Sequence, residues 1–182
     1  MKLRNSATRW GAVAQLLHWT VVVLIIAQFI MGYVAARLPL GLQQLVLLTR
    51  HKSVGMTILV LAILRIIWRV MSQRPALPAG IIRWETVATH VTHGMLYVLL
   101  LAIPLSGWMM SSARSFPVSW FGMFDVPDLV APGEAMFEFM QQTHVAVTTA
   151  LLVVSVTHAL VALKHHFVSR DTVLRGMLPW GN

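Results

Sequence analysis

The sequence contains no cysteine among its 182 residues. Without thiols the chain cannot form a disulfide, a thiolate-held iron–sulfur cluster or the covalent attachment of a c-type haem. Acidic residues are also scarce, with six Asp and Glu against fourteen Lys and Arg. Because proton and ion carriers commonly use carboxylates buried in the membrane, this scarcity disfavours a carrier of that kind. Any haem bound by this chain must be held non-covalently.

Apolar residues make up most of the chain, and charged residues are few. Hydrophobic residues make up 57% of the chain and charged residues 11%, and the mean hydropathy is +0.72. Four apolar runs, at about residues 11–36, 49–70, 86–110 and 138–167, reach the roughly 20 residues that a helix needs to cross a bilayer. The pattern predicts an all-α fold, a polytopic membrane four-helix bundle that forms one domain over residues 1–182.

The basic residues predict the orientation of this bundle. Cytoplasmic loops carry an excess of Lys and Arg, and an N-terminus inside would place ten of the fourteen cations near the inner ends of the spans. The inner set is Lys2, Arg4, Arg9, Arg65, Arg69, Arg74, Arg83, Lys164, Arg170 and Arg175, and the outer set is Arg37, Arg50, Lys52 and Arg114. We therefore expect both termini inside. The net charge of +8 then reflects membrane insertion and requires no nucleic-acid partner.

The fourth run carries two histidines, His144 and His158, fourteen positions apart. That spacing returns a helix to within about 40° of the same face and separates the residues by about 21 Å along its axis. In a hydrocarbon core about 30 Å thick, one imidazole lies near each side. Ionisable groups at such depth are costly and usually functional, and imidazole is an axial ligand of haem iron.

Two further histidines match these depths. With the N-terminus inside, His18 lies in the inner third of the first span and His51 near the outer end of the second. Facing helices of a bundle often build cofactor sites from inward side chains. We therefore predict two haem b sites, an inner one ligated by His18 and His158 and an outer one ligated by His51 and His144.

Another histidine competes for the inner site. His93, in the third span, has a depth similar to that of His18, so spacing alone does not decide which of them ligates the inner iron. Its alternative role is to line a quinone pocket together with His90, one turn away. His165 and His166 lie beyond the predicted core and are expected at the membrane interface.

Three cations are predicted to act beside the haems. Arg65 follows His51 by fourteen positions and thus shares its face near the inner site, where it would bind haem propionates or extend to the inner headgroups. Arg50 and Lys52 flank His51, where they would bind propionates or attract an anionic electron donor. Gly55, one turn after His51, would let a porphyrin approach the backbone.

The motifs in order resemble one family. QLLHW in the first span, RHKSVG and LRIIWR in the second, HGMLYVLLLAIPLSGW in the third and THALVALKHHFVSRDTVLRGMLP at the end are similar to the bacterial cytochrome b561 family over essentially the whole chain. The resemblance implies a four-helix inner-membrane protein with two b haems at the positions of His18, His51, His144 and His158. It also implies electron transfer between a quinone and a one-electron partner, and some relatives resemble superoxide-oxidising, quinone-reducing enzymes.

Three functional classes follow from these features. The first is a quinone-linked oxidoreductase of the membrane lipid phase with its own small anionic donor, such as superoxide. The second is a haem-bearing anchor subunit that relays electrons for a separate dehydrogenase or a soluble cytochrome. The third, a haem-free proton or ion carrier that uses its histidines as relays, is the least favoured because the spans contain no buried Asp or Glu. The donor, the direction of electron flow and the oligomeric state do not follow from the sequence.

Overall fold

The computed structural model describes residues 3–7, 9–73, 75–76 and 82–178, so the predicted inner cations Lys2 and Arg74 lie outside the described residues. The elements in chain order are α1 (Ala12–Ala35), α2 (Leu42–Met71), α3 (Arg83–Ala113), β1 (Val118–Trp120), β2 (Phe124–Val126), α4 (Glu134–Lys164), a π-helical turn (His165–Ser169) and α5 (Val173–Met177).

Four helices, α1 to α4, are long and apolar enough to cross a membrane. This confirms the predicted mainly helical fold and four-helix membrane bundle. Each of α2, α3 and α4 begins earlier than its apolar run, for example at Leu42 rather than residue 49. The reason is that hydropathy marks only the part inside hydrocarbon, whereas a helix satisfies its own backbone groups beyond it. The inward placement of both termini stays a prediction.

Consecutive helices pack on one another, α1 on α2, α2 on α3, and α3 on α4. A small core forms around Val21 of α1, Ile58 and Ala62 of α2, and Leu100 of α3. Large apolar side chains such as Ile26 remain exposed on the outer faces. In lipid those faces contact acyl chains, so the helices bury less apolar surface against each other than in a soluble bundle.

The connector between α3 and α4 contains a β-hairpin that the hydropathy pattern did not predict. Strands β1 and β2 are antiparallel, with Ser119 opposite Asp125. The hairpin is held on α2 by Ser53, whose Oγ donates to the Ser119 carbonyl at 2.9 Å and accepts from the Phe121 amide at 3.1 Å. Trp120 Nε1 donates to Thr57 Oγ1 at 3.1 Å. These contacts place the hairpin one turn from His51.

The two ends of the described chain meet at the opposite end of the bundle. Gln15 of α1, buried at 1% exposure, donates through Nε2 to the carbonyls of Gly176 at 3.1 Å and Leu178 at 3.4 Å. Trp19 Nε1 donates to the Met177 carbonyl at 2.9 Å. The C-terminal segment with α5 therefore covers the start of α1, beside His18.

Candidate haem-binding sites

The outer pair joins α2 and α4. The imidazole rings of His51 and His144 have centroids 6.3 Å apart and an interplanar angle of 76°. A metal–imidazole bond of about 2 Å, as for zinc, plus about 1.1 Å from nitrogen to ring centre on each side, gives a separation of about 6 Å for two rings on one metal. The observed spacing therefore fits two axial imidazoles on one iron.

The hydrogen bonds of the outer rings also fit ligation. His144 Nδ1 lies 3.1 Å from the Ile103 carbonyl oxygen and 3.1 Å from Ser106 Oγ, both on α3. A ligating histidine usually donates its other ring N–H in this way, which fixes the tautomer. Within the described part of the chain, His51 Nδ1 is buried and has no hydrogen-bond partner. His144 therefore keeps Nε2 available for a metal.

The inner cluster draws one side chain from each long helix. Arg65 Nη2 of α2 lies 2.9 Å from His18 Nδ1 of α1, and the rings of His93 and His158 have centroids 5.1 Å apart. The structure thus places His158 against the competitor His93, and the predicted propionate partner Arg65 against His18.

Hydrogen bonding distinguishes the two candidate inner ligands. Because a guanidinium only donates, His18 Nδ1 accepts from Arg65 and its Nε2 carries the proton in this arrangement. His93 Nδ1 lies 2.7 Å from the Thr89 carbonyl, so it donates and Nε2 is left as an acceptor. Ligation by His18 therefore requires Arg65 to leave Nδ1, as it would on binding a propionate.

In the described ranges, no three His, Asp or Glu side chains converge on a bare metal ion. A haem iron needs only two axial imidazoles, because the macrocycle supplies the other ligands. The two clusters therefore suit haem better than a free metal. Residues 9–180 match the family model for prokaryotic cytochrome b561. The chain belongs to the prokaryotic cytochrome b561 family.

Individual relatives agree with this membership. The chain is 32% identical to cytochrome b561 homolog 2 of Escherichia coli K12, an alignment that covers 98% of this chain and 95% of the relative. It is 25% identical to cytochrome b561 homolog 1 of the same strain, over 90% of this chain and 93% of that protein. Similarity extends to the probable superoxide oxidase CybB of Yersinia pestis, at 26% identity over 90% and 92% of the two chains.

Membership of the cytochrome b561 family establishes the general function of the protein. The protein is a b-type haem cytochrome that takes part in membrane electron transfer. It is a multi-pass protein of the bacterial inner membrane, with four spanning helices. The resemblance drawn from the sequence motifs is thereby confirmed.

The surroundings of Gly55 in this cytochrome do not allow the role that the sequence predicted for it. A Cβ built on Gly55 would lie 3.1 Å from Nε2 of Gln28, and that same Nε2 donates to the His51 carbonyl at 2.9 Å. The space beside Gly55 is thus filled by a side chain of α1. We therefore withdraw the expectation that Gly55 gives a porphyrin access to the backbone.

The two outer cations of the cytochrome have different surroundings. Lys52 Nζ donates to the Phe116 carbonyl at 3.1 Å and lies 3.5 Å from the centroid of the Phe116 ring. Arg50 is exposed and lines a cavity of about 400 Å³ between α2 and the hairpin, together with Thr49 and Phe121. Lys52 is therefore engaged by the connector, whereas Arg50 faces accessible space.

The remaining histidines lie apart from the outer pair. His90 is exposed on α3, with Nδ1 2.7 Å from the Thr86 carbonyl, and the half-buried His93 lies one turn further along, in contact with His158. His165 Nδ1 pairs with Asp171 Oδ2 at 2.5 Å. His165 thus contributes to the C-terminal turn.

Several polar or small residues at the sites were missed by the sequence reasoning. Ser106 and Gln28 contact the outer histidines as described, and the Tyr97 ring lies 5.4 Å from the guanidinium carbon of Arg65. Tyr97 could have been found from its position one turn after His93. Gln28 is a polar residue within an apolar run, which is a signal for an interior contact.

Proposed function

We propose that this cytochrome holds two non-covalent b haems and transfers electrons between a quinone and a one-electron donor such as superoxide. The outer haem is ligated by His51 and His144, and the inner haem by His18 and His158. When bound, haem supplies reversible one-electron chemistry. The two ligand positions of α4 are about 21 Å apart along the helix, which places the sites at opposite sides of the membrane.

The observation that carries this proposal is the outer pair. Two imidazoles from helices remote in sequence lie 6.3 Å apart, and His144 is oriented through Nδ1 by the Ile103 carbonyl and Ser106. Two imidazoles at this separation suit ligation of a single iron.

The inner cluster supports both haem and quinone binding. Arg65 provides a half-buried cation for a propionate, and Tyr97 lies beside it. His90 is exposed on the membrane face of α3 and His93 links that face to His158. Since quinones dissolve in the lipid phase, these two histidines offer polar contacts for a quinone headgroup next to the inner haem.

The donor side is assigned to the outer end of α2. Arg50 is exposed beside His51 and lines an accessible cavity, so a small anion is attracted towards the outer haem. The relative from Yersinia pestis that carries the name probable superoxide oxidase supports superoxide as the example. In this reading the protein is an enzyme, a quinone-linked oxidoreductase.

The haem content of purified protein tests the proposal. We expect about two b haems per chain by pyridine haemochrome assay, all extractable into acidified organic solvent because the chain has no cysteine to bind them covalently. His51→Ala and His144→Ala should each lower the content to about one. A wild-type value near one haem per chain would contradict the two-site arrangement.

A second candidate function is supported by the hairpin. Phe121, Met123 and Phe124 are exposed at its tip, by 53%, 64% and 54%. Exposed aromatic and Met side chains are enriched at protein interfaces, so a redox protein could dock there and the chain would act as its haem-bearing membrane anchor. Replacing Met123 and Phe124, which do not line the Arg50 cavity, by Ser should leave the reaction with superoxide unchanged if the first function holds.

A further inference from the structure

Two glycines contact the rings of the proposed outer ligands. A Cβ built on Gly107 would lie 3.1 Å from Cε1 and 3.3 Å from Nδ1 of His144. A Cβ built on Gly32 would lie 3.3 Å from Cε1 and 3.8 Å from Nδ1 of His51. Non-bonded carbon atoms prefer about 3.5–4.0 Å. A methyl group at either glycine would therefore press on the ring beside it.

The two contacts repeat the same geometry on different helices. Gly32 belongs to α1 and Gly107 to α3, the helices that supply neither proposed outer ligand. In both cases the nearest ring atom is Cε1, followed by Nδ1. For His144, Nε2 lies further away, 3.9 Å from the built Cβ. Each ring thus packs its Cε1–Nδ1 edge against the backbone of a neighbouring helix at a glycine.

A glycine in the interior of a long helix is unfavourable relative to alanine. Gly94 of α3 has open space around it, since a Cβ there would meet nothing within 4 Å. Gly32 and Gly107 differ from Gly94 because their missing side chain is what makes room for an imidazole. Packing against the ring is therefore a physical reason for glycine at these two positions.

We propose that Gly32 and Gly107 are positioning residues that set the plane of the two outer imidazole rings. The inference rests on the proposed function, which assigns His51 and His144 as ligands. At Gly107 the contact acts together with the Nδ1 hydrogen bonds to Ile103 and Ser106. At Gly32 the ring has no such bond within the described residues, so the backbone contact is the main restraint on its rotation.

The orientation of axial ligands and their outer contacts tunes the electronic properties of a haem iron. The test is therefore spectroscopic: Gly32→Ala and Gly107→Ala, with Gly94→Ala as the matched control. We expect the low-spin ferric electron paramagnetic resonance signal and the midpoint potential of one haem to shift in both variants. The shift should be larger for Gly107→Ala because its contact is closer, and Gly94→Ala should match the wild type.

Gly55→Ala is a second control, because its Cβ would meet the amide of Gln28 rather than a ring. If Gly55→Ala shifts the signal as much as Gly32→Ala does, the spacing of α1 and α2 matters and the inference is wrong. Wild-type spectra in both Gly32→Ala and Gly107→Ala would also overturn it. Selective loss of one haem in either variant supports it, and if Gly107→Ala does not accumulate, Gly32→Ala with its milder contact carries the test.

The ligand variants separate this inference from the proposed function. If His51→Ala and His144→Ala bind the wild-type amount of haem, the ligand assignment fails. If they lose the outer haem but the glycine variants keep the wild-type signal and potential, only the positioning role fails.

Discussion

The contact between Arg65 and His18 bears on which inner histidine can ligate the inner iron. The Arg65 guanidinium donates to His18 Nδ1 at 2.9 Å, and the Arg65 side chain is half-buried in α2. A cation held partly out of water beside a neutral ring is stabilised by an anion. A haem propionate would supply that anion, which is why we keep His18 as the inner ligand although His93 has its Nε2 available.

The inner assignment can be tested by two single substitutions. We expect His18→Ala to lose the inner haem, because ligation needs both imidazoles, and His93→Ala to retain both haems while slowing quinone reduction. Haem content and steady-state quinone turnover measure the two effects. Loss of a haem in His93→Ala but not in His18→Ala would transfer the ligand from α1 to α3.

The outer cations should differ in their effect on the donor. Lys52 is held by the Phe116 carbonyl and ring, whereas Arg50 lines the accessible cavity. We therefore expect Arg50→Gln to slow reduction of the outer haem by a small anionic donor more than Lys52→Gln does, on the order of several-fold at low salt. Stopped-flow absorbance measures the rate.

Ionic strength provides the control for this prediction. The wild-type rate should fall as salt shortens the screening length to about 8 Å at physiological strength, and the Arg50→Gln rate should depend less on salt. A rate that changes neither with salt nor with the Arg50→Gln substitution would favour the anchor-subunit function, in which a protein partner docks on the bundle.

The hairpin is the element that links the α3–α4 connector to α2. Ser53 is fully buried, and its hydroxyl donates to one strand and accepts the amide of Phe121. Trp120 adds a single bond to Thr57. Because the hairpin is short and has little core of its own, its position depends on these contacts with the helix.

Removal of the Ser53 hydroxyl should release the hairpin. In Ser53→Ala the Phe121 amide and the Ser119 carbonyl lose their partner, which we expect to cost about 1–3 kcal/mol locally. Hydrogen exchange of residues 118–126 should accelerate, while the helices keep their protection. Thr57→Val removes the partner of Trp120 and a bond within α2 to the Ser53 carbonyl, and it should have the smaller effect on the hairpin. Equal acceleration in both variants would contradict the central role of Ser53.

Contacts between the described chain ends bear on the topology of the whole molecule. The start of α1 and the C-terminal segment lie at one end of the bundle, as four spans require. The excess of cations near this end predicts that it faces the cytoplasm. The orientation decides which of the two proposed haem sites lies towards the outside of the cell.

Single cysteines can measure this orientation, because the wild-type chain has none and gives no background. We expect Ala7→Cys to react with a membrane-impermeant maleimide only in inverted vesicles, and Asp128→Cys only in right-side-out vesicles. Both residues are exposed. The opposite labelling pattern would place the N-terminus outside and exchange the inner and outer sites.

Four spanning helices could be predicted from the sequence because hydropathy depends on composition alone, and a bilayer requires about 20 apolar residues in a helix. The matching depths of His18, His51, His144 and His158 stay a prediction that rests on residue count. The ends of α2 and α4 could not be predicted, because helices continue past the hydrocarbon. The hairpin was also missed, because its strands are short and are held by side chains of α2.

The number of spans and the non-covalent nature of any haem follow from the amino-acid sequence alone, which also predicts that four histidines match in depth. The contacts of these side chains appear only in the folded chain. The ring centroids of His51 and His144 lie 6.3 Å apart, Arg65 contacts His18, and Lys52 and Arg50 have separate surroundings. The physical reason is that depth along a helix follows from the rise per residue, whereas the partner of a side chain depends on helix rotation and packing against other helices.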